Sequence, residues 1–197
     1  MIRSKDRSGY IGASDTKYVV GNWNTKTFKN WWFEKLGLVK NNFSNKYTNA
    51  GTYYEHKIVE ALNIPCIELD KQYIKGRLRV NLDANTKYKI HEIKTYKYEK
   101  GFDLKKHKDY VGQAQVQMYV SGIHSLCINA YGLLENDYIN YFNEIDKDRL
   151  SEHEIEYDEK WVNEEYLPKE KYLEYCLEKQ KMPNVEEFKE MIKNVKI

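Results

Sequence analysis

Cysteine, proline and arginine are scarce in this chain of 197 residues, and each shortage removes a class of explanation. Cys66, Cys127 and Cys176 lie far apart and no CxxC occurs, which excludes a disulfide framework, a zinc ribbon and a four-cysteine iron–sulfur site. The five histidines show no HExxH spacing, so a zincin is excluded as well. Prolines stand only at 65, 168 and 183, and no internal repeat or low-complexity linker occurs. A single domain over residues 1–183 is therefore expected, followed by a helical extension, 184–197, of unassigned role. No run approaches the roughly 18 apolar residues of a membrane helix, and no apolar segment follows the opening Met-Ile-Arg-Ser-Lys-Asp. The expected compartment is the cytoplasm, with no membrane partner. Only five arginines stand beside abundant Lys, Asn, Tyr and Ile, a composition that fits the AT-rich genome of a bacterium or its phage.

What the chain does contain is that of a globular protein: 41% hydrophobic and 31% charged residues. The net charge of +2 hides a division. Residues 1–110 carry 22 Lys and Arg against 12 Asp and Glu, and residues 111–197 carry 10 against 18. Taken alone such a division reads first as two ordinary solvated faces, and beside that as a polyanion-binding face on one side.

Local patterns place helices over residues 15–20, 27–36, 51–63, 109–121, 159–181 and 185–195. Ser14 is placed to cap the first. Phe28, Trp31 and Trp32 make the second aromatic, as core or as a subunit interface. Asn184 and Glu187 form a capping box for the last. In the helix over 51–63, Tyr54, Ile58, Val59 and Leu62 form the apolar stripe, and Glu55 lies along it in the first turn, where the helix dipole favours a carboxylate. In the helix over 109–121, Tyr110, Gln113 and Gln117 share a stripe. Residues 77–96 read as a hairpin turning at Ala84-Asn85-Thr86, with Ile90, Glu92 and Lys94 on one face of the return strand and His91, Ile93 and Thr95 on the other. Strands over 127–134, 138–143 and 152–157 complete an α/β (α+β) domain.

The chemistry gathers in that hairpin. Asp83 ends one strand, Glu92 and Lys94 sit on one face of its partner, and the preceding helix can deliver Glu55 to the same place. Clustered carboxylates repel and desolvate poorly unless a cation neutralises them. Oxygen donors without thiolates select Mg²⁺ or Mn²⁺. A lysine two residues after such a glutamate can orient or deprotonate an attacking water, and together these are the parts of a phosphodiester hydrolase. An exposed hairpin with ordinary cross-strand ion pairs would show the same residues.

The neighbouring segments favour the first reading. Arg7-Ser-Gly-Tyr-Ile-Gly-Ala-Ser14-Asp15, Gly51-Thr-Tyr-Tyr-Glu55, Asp83 with His91-Glu92-Ile93-Lys94, and Tyr110-Val-Gly-Gln113-Ala-Gln115 occur in that order. In this the chain resembles the lambda exonuclease/YqaJ family of viral recombination nucleases, within the PD-(D/E)xK superfamily. It departs from the family at Asn81-Leu82-Asp83, where Ser-Pro-Asp or Pro-Asp is common. The resemblance implies a restriction-endonuclease-like core, a central mixed β-sheet flanked by helices. It implies that Glu55, Asp83, Glu92 and the carbonyl of Ile93 hold Mg²⁺ (or Mn²⁺), with two ions per site, while Lys94 serves the nucleophilic water. Arg7 and Ser14 would bind a 5′-phosphate, Gln113 would hydrogen-bond near the site, and Tyr110 would pack beside it. The implied activity is 5′→3′ digestion of linear double-stranded DNA from its ends. The 3′ single strands left behind would pass to a phage single-strand annealing protein, and the enzyme would be a homotrimer in the cytoplasm of a bacterial host. Two alternatives stand beside it: an endonuclease of the same superfamily, disfavoured by Arg7 and Ser14, and a catalytically silent DNA-end-binding protein, disfavoured by retention of all four catalytic residues.

Overall fold

The computed structural model describes residues 9–39 and 45–195. Its centre is one five-stranded sheet in the order β1 (Glu68–Lys75), β2 (Leu78–Asn85), β3 (Ile90–Lys97), β4 (Ser125–Leu133), β5 (Leu150–Glu156). All neighbours are antiparallel except β3 and β4, which run parallel and are joined by α4 (Lys108–Ser121). This is the expected mixed sheet of an α/β domain. One face carries α1 (Thr16–Val19), α2 (Lys26–Lys35), α4, α5 (Leu167–Glu178) and α6 (Val185–Val195), packed on Val80, Leu82, Ile90, Leu126 and Ile128. The other face carries α3 (Lys46–Leu62), whose Ala50, Tyr54, Ile58 and Val59 meet Ala84, Ile93, Tyr131 and Leu133. Among the described residues, no helix is long and apolar enough to cross a membrane.

Phe28, Trp31 and Trp32 are core residues, each at most 5% exposed. The last helix docks on that same core, with Phe188 against Trp23 and Tyr172. Asn184 caps it by accepting from the Glu186 and Glu187 amides, but the capping box is incomplete. The Glu187 carboxylate is taken by Lys181 and the Tyr172 hydroxyl, and that hydroxyl also accepts from the Asn184 amide.

Four local expectations need correction. α3 starts at Lys46, capped by Asn45, so Glu55 lies deep in the helix. The dipole effect fades beyond the first turn and does not act on it. Ser14 caps nothing: Gly12 precedes the first 3-10 turn, and the Gly12 amide donates to Asp15 at 2.8 Å. Residues 138–143 are not a strand. Buried Asp137 gathers the Leu134 amide, Asn143, Arg149 and the Tyr54 hydroxyl, which ties the chain into a turn and leaves Ile139 and Phe142 exposed despite their strand propensity. The hairpin over 77–96 exists only at its base, because β2 meets β3 at Ala84–His91 and Asn85–Ile90 alone. The long ladder of β2 is with β1, a strand whose exposed sequence carries no alternating signal.

Candidate active site

The divergence of β2 from β3 makes the site. Above the base of the hairpin the strands separate, and the Asp83 carboxylate reaches across the gap to accept from the Ile93 amide at 2.8 Å. A strand residue presents its N–H and C=O to the same side, so the Ile93 carbonyl faces this gap too. At the other end of β2 the vacant edge is taken by the N-terminal segment. Ile11 forms a parallel bridge with Leu78, through Ile11 N–H to Arg77 O at 2.9 Å and Arg79 N–H to Ile11 O at 3.0 Å. That bridge puts Gly12–Ser14 over the gap. The segment is fixed by an ion pair at 2.6 Å between Asp15 and buried Lys35, and by the Thr16 hydroxyl donating to the Ala13 carbonyl.

A cavity of about 250 Å³ results, with Ser14, Glu55, Asp83, Glu92 and Gln113 among its walls. Five of the residues singled out in the sequence thus meet in one place. Ile93, Lys94 and Tyr110 line a second cavity, which shares Glu55 with the first. Arg7 lies outside the described residues.

The face alternation of β3 sets the next contacts. Glu92, 4% exposed, points at α4. Its Oε1 accepts from Lys94 Nζ at 2.7 Å and Gln113 Nε2 at 2.6 Å, and its Oε2 from Gln117 Nε2 at 2.5 Å. Gln113 Oε1 accepts in turn from Lys94 at 3.1 Å. A carboxylate offers about four lone-pair positions. Three are filled, which leaves one, on Oε2. Lys94 also lies 4.8 Å from the centre of the Tyr110 ring. Gln115 is absorbed elsewhere, bridging the Glu156 carbonyl and the Asp158 amide. His91 is buried and belongs to the face away from Glu92.

Burial and the mutual repulsion of the acids dominate the electrostatics, with Lys94 opposing them. Burial pushes the Asp83 carboxyl well above its ordinary range, and the charges of Glu92 and Glu55 push it further. Burial likewise raises Glu55, which His56 pulls down and Glu92 and Asp70 push up. Burial would lower Lys94, but Glu92 and Asp83 outweigh it and hold the ammonium above its usual range. Lys94 therefore carries its proton in this arrangement.

Asp70, Arg79 and Lys35 also line the first cavity and carried no signal in the sequence. Asp70 falls opposite Asp83 in the β1–β2 ladder, between the pairs Leu69–Ala84 and Lys71–Leu82. Its nearness was invisible because β1 itself was. Among the described residues, Glu55, His56 and Asp70 form the one tight group of possible metal ligands, their donor atoms within 4.8 Å of one another. His56 Nε2 lies 3.2 Å from Asp70 Oδ2. Glu55, Asp83 and Glu92 share a cavity without being drawn into such a group, since Glu92 is turned toward the glutamines of α4 and Asp83 toward Ile93. Gln117 is the missed residue with a legible signal, the stripe it shares with Tyr110 and Gln113.

No family model matches the chain, and no curated protein matches it in sequence. Solved structures do match it in fold. An alkaline exonuclease from Laribacter hongkongensis superposes with a TM-score of 0.66 at 18% identity, over 88% of this chain and 92% of that one. The same exonuclease in complex with dAMP gives 0.67 over the same shares. A phage-related exonuclease from Haemophilus somnus 129PT gives 0.58 at 15% identity, over 87% and 96%. At these identities the likeness is one of fold, and the fold is the one that the sequence resemblance implied.

Proposed function

We propose that the chain is a Mg²⁺- or Mn²⁺-dependent exonuclease that degrades linear double-stranded DNA 5′→3′ from its ends. One observation carries this reading: β2 and β3 part so that Asp83, Glu92 and Glu55 line one polar cavity with Ser14, while Asp83 is bonded to the Ile93 amide and Glu92 to Lys94. The likeness in fold to exonucleases supports it.

The donors fit hard divalent cations. They are all oxygens, and burial together with neighbouring carboxylates raises Asp83 and Glu55, a penalty that a bound cation would relieve. Glu55, Asp83, Glu92 through Oε2, and the Ile93 carbonyl would hold two such ions. When bound, they supply Lewis-acid polarisation of the phosphate and charge neutralisation at the leaving oxygen.

The remaining chemistry falls to the chain. Protonated Lys94 orients the attacking water and donates to a phosphoryl oxygen. Gln113 and Gln117 hold the Glu92 carboxylate in one orientation, and Gln113 also holds Lys94. Tyr110 limits the swing of Lys94 by lying under it. The Ser14 hydroxyl receives the terminal 5′-phosphate at the wall of the first cavity, and Arg7 is the second residue assigned to that phosphate. On this reading the 3′ single-stranded product passes to a single-strand annealing protein and the enzyme is a homotrimer, a state that sedimentation equilibrium reads directly.

The test is digestion of an end-labelled linear duplex in Mg²⁺, with 5′-phosphate or 5′-hydroxyl ends, beside a closed circle and the Lys94→Ala variant. Release of mononucleotides from phosphorylated 5′ ends, sparing the circle and abolished by Lys94→Ala, is the expected result. Cutting of the circle would replace the exonuclease by an endonuclease. Binding without cleavage in either metal would leave a DNA-end-binding protein.

A further inference from the structure

Neither Lys35 nor Arg79 has a part in the chemistry assigned so far, yet both are cations on the wall of a cavity that also holds Glu55, Asp70, Asp83 and Glu92. Lys35 is engaged, bound to Asp15 at 2.6 Å. We infer that Arg79 is a specificity-determining residue, whose guanidinium grips the terminal 5′-phosphate monoester and makes the enzyme prefer a phosphorylated end. The inference rests on the nuclease reading above.

The strand supplies the first reason. Side chains alternate along β2, so Arg79, Asn81 and Asp83 fall on one face, and all three line the cavity. At about 3.3 Å per residue, ~13 Å of strand separate Arg79 from Asp83. A cation thus stands at one end of the row and a carboxylate at the other. A DNA strand whose first phosphodiester lies at the acids has its terminal phosphate displaced along that row, toward Arg79.

The second reason is how the side chain is held. Arg79 Cζ lies 5.0 Å from the centre of the Tyr10 ring, and Tyr10 lines the same cavity. A guanidinium over a ring is steadied by cation–π attraction and still presents N–H groups from its edge. The Arg79 amide donates to the Ile11 carbonyl at 3.0 Å. Ring and backbone together fix the residue against the segment that carries Ser14.

The third is room. Gly12 lines the cavity between the two groups: a Cβ placed on it would lie 3.8 Å from Ser14 Oγ and 3.7 Å from the Arg79 carbonyl. These are ordinary contacts, so packing would tolerate a side chain at Gly12. Its lack of one leaves open the space beside the hydroxyl and the strand.

The number of oxygens then selects the ligand. A phosphate monoester offers three terminal oxygens, and an internal phosphodiester offers one fewer. The guanidinium fork takes two and the Ser14 hydroxyl the other, so a terminal phosphate satisfies every donor and an internal one does not.

The experiment measures kcat/KM in Mg²⁺ for linear duplexes with 5′-phosphate and with 5′-hydroxyl ends. It also measures the affinity for both ends by fluorescence anisotropy in Ca²⁺, with the full chain throughout. Arg79→Gln should reduce the preference for phosphorylated ends about 10–100-fold, as loss of hydrogen bonds to a charged group does. Arg79→Lys should recover part of it, keeping the charge without the fork. Gly12→Ala should lower the preference in the same sense. Equal losses on both kinds of end would make Arg79 a structural residue, and an unchanged preference in Arg79→Gln would leave the phosphate to other groups; either result overturns the assignment. If the wild type cleaves neither end in Mg²⁺ or Mn²⁺, the nuclease reading fails instead, and the affinities for the two ends still decide Arg79.

Discussion

Replacing Asp83 by asparagine separates the two tasks that the structure gives this side chain. The substituted carboxamide has the same shape and keeps an oxygen for the Ile93 amide, so the bridge across the strand gap survives. What disappears is one negative charge facing those of Glu55 and Glu92. The carboxyl is raised above its unfolded value, so ionised Asp83 destabilises the cation-free fold from the ordinary carboxylate range upward in pH. Cation-free Asp83→Asn should therefore melt above wild type at pH 8, and the difference should shrink as the pH falls toward 4. With cation the order reverses. A single ion present at 100 times its dissociation constant stabilises the native state by about 2.7 kcal/mol. For a chain of this size that raises Tm by roughly 5–10 °C. Wild type should show that rise on Mn²⁺ addition and Asp83→Asn should show almost none. Differential scanning calorimetry with and without Mn²⁺ reads both arms. A cation-free variant less stable than wild type, or a full Mn²⁺ response in the variant, would refute the account of crowded acids awaiting a cation.

Gln117→Leu removes a donor from a buried carboxylate and should cost about 1.5–3 kcal/mol in urea unfolding at pH 8, where a change under about 0.5 would show that Glu92 does not depend on it. Gly112→Ala puts a methyl 2.8 Å from the Thr16 Cγ2, a stiff buried side chain, so about 1–3 kcal/mol of stability should be lost; unchanged stability would mean that the α1–α4 contact yields freely. Glu170 is 4% exposed, and burial, with Glu174 adding to it, pushes its carboxyl up to about 7. The resulting penalty grows as pH rises from about 4.5 to about 7 and reaches about 3 kcal/mol above that. Glu170→Gln should accordingly stabilise the protein at pH 8 and leave it unchanged at pH 4, and equal stability at both would refute the burial argument.

β3 was legible because alternation is a local property. Two residues apart, Glu92 and Lys94 share a face whatever the strand pairs with, and the stripe of Tyr110, Gln113 and Gln117 follows as simply from the helical period. The helices around the aromatic core were legible for the same reason. What escaped was set by partners distant in sequence. β1 reads Glu-Leu-Asp-Lys-Gln-Tyr-Ile-Lys, exposed nearly throughout, and only its ladder with β2 makes it a strand. Asp70 and the true pairing of β2 were lost with it. The start of α3 was missed because Asn45 and Thr48 cap it without any apolar periodicity nearby. Residues 138–143 misled in the opposite sense, since their β-branched and aromatic residues promised a strand that no neighbouring edge was there to receive.

The parallel bridge from Ile11 to Leu78 also bears on how the protein comes into being. Asp83 and Glu92 can assemble from a short stretch of chain, β2 through β3, but the segment over them is N-terminal, with Thr16 against Gly112, 96 positions away. Contacts of such separation are entropically costly to close and form late. Synthesis delivers this segment first and Gly112 much later, so a shorter chain holds Asp83 and Glu92 with the cavity unclosed on that side. Completion of the site is in this sense a single event, the docking of one short segment onto the edge of β2.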